Sequence, residues 1–124
     1  MRATLGTRIA VVVGAVTAGL GLWAFAAPRS FYDQLATFPP YNRHLLHDVG
    51  AFQAGLGAML ILGVVMTNAL AGALWGFTVG SALHAVSHVV DRDLGGRALD
   101  PVGLAILAAA SAVAAVLVAR RAPS

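Results

Sequence analysis

The chain has no cysteine and no glutamate, so coordination and acid–base chemistry fall to four histidines, five aspartates and two tyrosines. His84 and His88 stand four residues apart, with Asp91 three further on. On an α-helix those intervals bring side chains onto one face. Upstream, Gly72, Gly76 and Gly80 continue the same four-residue step. At the start of another apolar stretch, His44, His47 and Asp48 also share one helical face. Ionisable groups inside a bilayer are costly and mark a functional site by default. Imidazoles with carboxylates form a nitrogen–oxygen set suited to zinc, iron, manganese or copper. The candidate ligands are His44, Asp48, His84, His88 and Asp91, with His47, Tyr41 and Asp33 at the periphery. Two-metal sites in helical bundles draw on several bridging acids, so one metal is expected here. Protons compete for the same nitrogens, so retention should fall in acid.

Two other ligands suit the same residues. A b-type haem would take a histidine from each of two helices. A quinone or another amphipathic molecule would be gripped by His, Asp and Tyr at the membrane surface. Plainer explanations exist for each residue alone. Histidines near a helix C-terminus offset its dipole, Asp48 can pair with Arg43, and small residues at a four-residue step are the usual packing face of membrane helices. It is the convergence of His44, Asp48, His84 and His88 that argues for a site. Nucleophilic catalysis is not expected: Ser81 and Ser87 flank the histidine pair, but a helical Ser–His pair brings no oxyanion hole. Should metal, haem and quinone all be absent, a non-enzymatic accessory or packing subunit is the alternative.

The elements that must position these groups are membrane spans. Of the residues, 59% are hydrophobic and 10% charged, with mean hydropathy +0.82, against about 25% charged in soluble domains. The eight basic residues are all arginines scattered without a basic run, which excludes a nucleic-acid partner and suits interface anchors. The apolar runs predict an all-α integral membrane four-helix bundle in one domain, with spans over 9–27, 42–66, 69–90 and 101–119. Ser30 to Asp33 resembles a capping box and opens a short interfacial helix carrying Phe31, Tyr32, Leu35 and Phe38. Asn42, Asn68 and Asp100, the last followed by Pro101, are expected N-caps. Ala24-Phe25-Ala26 also fits a signal-peptide cleavage site, but the first span is taken as retained.

Four spans put both termini on one side of the membrane. The second span then begins, and the third ends, at the same face, which brings all four histidines to one level. The short Thr67-Asn68 turn makes these two helices antiparallel neighbours, and lipid cannot solvate their polar faces, so both should turn inward. Arginines divide four and four: Arg2, Arg8, Arg120 and Arg121 against Arg29, Arg43, Arg92 and Arg97. All five acids fall on the loop side, which favours cytoplasmic termini in a bacterial inner membrane. The expected partners are the lipid bilayer and a second copy or larger membrane complex reached through the Gly72–Gly76–Gly80 seam.

Three motifs, Pro28-x-x-Phe31-Tyr32-Asp33, Pro40-Tyr41-Asn42-x-His44-x3-Asp48-x-Gly50 and His84-x3-His88, carry a likeness over most of the chain. It resembles a group of small, uncharacterised four-helix bacterial membrane proteins. In that group the place of His47 is often taken by Arg, and that of Asp91 can hold His. The resemblance thus implies that His47 is replaceable and that Asp91 belongs with the ligands, and it names no chemistry.

Overall fold

A computed structural model describes residues 4–66 and 68–120. Arg2, Arg121 and the turn residue Thr67 lie outside the described residues. The described residues form α1 (Leu5–Ala26), α2 (Pro28–Gln34), α3 (Arg43–Val65), α4 (Leu70–Val90) and α5 (Asp100–Ala119), with no strand. Helices α1, α3, α4 and α5 are each long and apolar enough to cross a membrane, with mean hydropathies of 1.2 to 2.5. The architecture is the four-helix bundle expected, and α2 is the short helix after the first span.

Local chemistry sets the boundaries, not always as the sequence suggests. Asn42 caps α3 as expected, its Oδ1 accepting from Leu45 N at 3.0 Å. The capping box at Ser30 does not form. Pro28 occupies the first turn of α2, where its missing N–H costs nothing, so the helix begins before Ser30. Asp33 then takes Arg29 as its partner, 2.9 Å away. Asn68 is not a cap either: its φ of 61° puts it in the left-handed region that Asn tolerates, and α4 starts two residues later. Asp100 is the first residue of α5 instead of its cap, and its carboxylate accepts from Arg97 N, upstream, at 2.8 Å.

Lipid tails are as apolar as leucine, so membrane helices hold together by close packing and a few hydrogen bonds. The closest packing joins α1 to α3. Gly14 and Gly21 on α1 face Gly57 and Gly50 on α3, and a β-carbon on Gly57 would lie 2.5 Å from Gly14 O. One on Gly50 would lie 2.6 Å from Phe25 N. Helix α1 also packs on α5, and α4 packs mainly on α5. Thr78 Oγ1 and the fully buried Ser111 Oγ, 2.8 Å apart, tie α4 to α5. The main core centres on Leu60 and Leu74 with Ala10, Val13, Phe77 and Ala114. A second cluster of Ala24, Phe31 and Leu46 closes the loop end, with Trp23, Tyr32 and Leu35 against it.

Helices α3 and α4 meet near their shared turn, where Gly63 approaches Leu70 and Ala73, and make far less contact than the α1–α3 pair. This corrects the packing role expected of Gly72, Gly76 and Gly80 within the chain. A β-carbon on any of the three would meet nothing within 4 Å. Gly72 and Gly76 line an open groove instead of seating a helix.

Candidate functional site

The histidine pair forms as its spacing requires. One turn of α4 brings His84 Nε2 to 3.2 Å from His88 Nε2, with ring centroids 4.9 Å apart. Ser87 Oγ donates to His84 O at 2.8 Å, a bond to the backbone of its own helix. The pair is asymmetric in its surroundings. His84 is exposed on the outer face of α4, whereas the His88 side chain is only 16% exposed.

What encloses His88 comes from two loops and α5. Asp100 Oδ2 stands 3.8 Å from His88 Nδ1, and its own side chain is equally buried. That separation is ion-pair reach, longer than a hydrogen bond. The same oxygen is fixed by Arg97 N. Phe38, after α2, sets its ring edge-on to His88 at 5.2 Å and 88°. The loop before α5 holds that ring in place. Gly96 N donates to Thr37 O at 3.1 Å, and a β-carbon on Gly96 would fall 2.6 Å from Phe38 Cζ. Gly96 also has φ +80°, which side chains with a β-carbon rarely adopt. Two independent constraints thus require glycine there.

The remaining expected residues lie elsewhere. His44 Nε2 faces Asp48 Oδ2 at 3.5 Å, one turn along α3, with side chains 87% and 53% exposed. A haem bridging α3 and α4 would draw on His44, whose ring is turned to Asp48. His47 packs on Phe25 of α1, centroids 5.3 Å apart. Asp91 is the C-cap of α4, and its backbone closes the turn through Asp91 N to Ser87 O and Leu94 N to Asp91 O. Asp33 pairs with Arg29, whose guanidinium lies 5.1 Å from the Tyr41 ring and 5.8 Å from Tyr32. The hydrogen bond to Asp33, then its charge, raises the Arg29 pKa above its usual value. This is a surface anchor of the kind interfacial aromatics and arginines make.

Among the described residues no three His or Asp side chains gather into a set able to hold a metal. The convergence expected from topology, His44 and Asp48 with His84 and His88, is therefore not formed among the described residues. The reason is the slight contact between α3 and α4, and His44, 87% exposed, is paired with Asp48 of its own helix. Sequence reasoning missed Asp100 and Phe38. Asp100 was legible by the same topology: α5 starts at the face where α4 ends, so its first residue stands level with His88. Phe38 carried no such signal, since its place depends on how the two loops dock. In comparisons with protein-family models, curated proteins and solved structures nothing matches this chain.

Proposed function

We propose that this small multi-pass membrane protein binds one divalent transition metal between His84 and His88, with Asp100 orienting the inner imidazole. The observation that carries it is the 3.2 Å between the two Nε2 atoms. Two nitrogens at about 2.05 Å from a tetrahedral ion are separated by about 3.3 Å. The pair is therefore already spaced as two corners of a coordination tetrahedron. Metal on Nε2 leaves the proton of His88 on Nδ1, the nitrogen that faces Asp100. A carboxylate behind a ligating histidine fixes its tautomer and raises its basicity. The chain supplies two ligands and leaves the other positions to water or to a bound molecule. Asp91, His44 and Asp48 are outside this set. We place the site at the face opposite the termini, the periplasmic side if the termini are cytoplasmic in a bacterial inner membrane.

Protein purified in mild detergent without added metal should return close to one equivalent of a transition metal by elemental analysis. His84→Ala and His88→Ala should abolish it, and Asp100→Asn should weaken affinity by about 10–100-fold. His47→Ala and His44→Ala should keep it. An empty wild-type protein that also fails to take up zinc or cobalt overturns the reading. So does equal loss in His44→Ala and His84→Ala.

A further inference from the structure

The connection between α4 and α5 gathers charge at a defined depth. The 21 residues of α4 and 20 of α5 each rise about 30 Å, the thickness of a hydrocarbon core. Their joined ends therefore meet the headgroup layer. There a pocket of about 450 Å³ opens at the loop face, and small-molecule sites typically span about 300–1,000 Å³. It brings together His88, Arg92 and Asp93 at the end of α4, Gly96 and Arg97 of the loop, and Pro101 on α5. The loop wall is fixed in place. A β-carbon on Gly95 would lie 2.6 Å from Thr37 O, and one on Gly96 as close to Phe38 Cζ. Around these residues in the chain, Val90, Leu94, Leu99 and Val102 are each more than half exposed.

Two guanidiniums and one carboxylate line this pocket. Arg92 Nε and Asp93 Oδ1 stand 3.8 Å apart, longer than a hydrogen bond, and their side chains are 77% and 90% exposed. Among the described residues Arg97 makes no ion pair; its backbone N–H, not its guanidinium, meets Asp100. Guanidinium groups match phosphate oxygens in geometry and charge. A simple anion would leave Asp93 facing like charge, and a simple cation would face two arginines. A zwitterion with its two charges a few atoms apart satisfies all three groups.

We infer that this loop-face pocket holds a phosphodiester bearing a primary ammonium group, the chemistry shared by an ethanolamine phospholipid headgroup and its water-soluble glycerol phosphodiester. Arg92 and Arg97 hold the phosphate and Asp93 takes the ammonium, while the exposed Leu94 and Leu99 meet the acyl boundary. A primary ammonium offers Asp93 three N–H donors. The quaternary ammonium of choline offers none, so choline is the poorer ligand. The inference stands apart from the metal reading, since His88 serves the pocket only as a wall.

The test titrates the full chain in mild detergent with dioleoylphosphatidylethanolamine and dioleoylphosphatidylcholine, counting bound lipid by native mass spectrometry. Metal content is followed separately by elemental analysis, so either reading can fail without the other. The ethanolamine lipid should bind about threefold more tightly than the choline lipid. Asp93→Asn should remove that preference and leave choline binding unchanged. Arg97→Ala should weaken both lipids by about tenfold. Both side chains are exposed, so the variants keep the packed bundle. Arg29→Ala, at the same face but outside the pocket, should change neither lipid. Displacement of the lipid by glycerophosphoethanolamine at matching concentration would support the pocket and assign it to the soluble ligand; failure to displace supports the lipid headgroup. Equal affinity for the two lipids in the wild-type chain would overturn the proposal. So would a loss in Arg29→Ala as large as that in Arg97→Ala, which would mean general attraction of arginines to headgroups.

Discussion

Two glycine-lined surfaces of this bundle behave in opposite ways. Along α1 and α3, Gly14, Gly21, Gly50 and Gly57 let two backbones meet so closely that no β-carbon fits. Along α4, Gly72, Gly76 and Gly80 meet nothing within 4 Å. The second set carries the better-known small-x3-small spacing, yet the first set does the packing. A bare backbone only permits close approach; a partner with bare backbone at the matching interval is needed to make it. Gly14 and Gly21 are seven residues apart, as are Gly50 and Gly57, so the two antiparallel helices offer glycine at both crossings. Among the described residues no other helix comes within 4 Å of a β-carbon built on the α4 seam.

The comparison can be broken most forcefully at the tight surface. Gly21→Leu drives a side chain into the backbone of α3 beside Ala54 and Gly50. Overpacking of this kind costs about 3 kcal/mol, and with no room to yield it should lower the unfolding temperature steeply. Thermal unfolding in detergent, followed by the fluorescence of Trp23 and Trp75, measures it. A change no larger than that of Gly76→Leu would erase the distinction between the surfaces.

A smaller effect is expected where the loops dock. Gly96→Ala places a β-carbon against Phe38 at φ +80°, a strain of about 1–2 kcal/mol. Phe38 should swing off His88, so His88 should react faster with diethyl pyrocarbonate while His84, already exposed, reacts unchanged. Equal reactivity before and after would show that Phe38 does not cover the site.

The smallest effect belongs to the open seam. Gly80→Ala has free space and should gain up to about 1 kcal/mol from helix propensity alone. A loss instead, accompanied by dissociation of a cross-linkable oligomer, would show that a second copy or another subunit covers the seam.

The sequence alone determined the number and approximate extent of the spans, since an apolar run near 20 residues in lipid must pair its backbone within one helix. It also determined that His84 and His88 meet, because one helical turn is a local distance. It did not decide which helices lie side by side. The short turn after α3 implied close α3–α4 neighbours, but the two make little contact, because the matched glycines draw α3 to α1 and Thr78 with Ser111 draws α4 to α5. That choice separated His44 and Asp48 from the pair, brought Asp100 and Phe38 to it, and opened the groove. Local hydrogen bonding fixes a helix wherever it sits, whereas helix neighbours are selected by complementarity between distant surfaces, which only the folded bundle brings together.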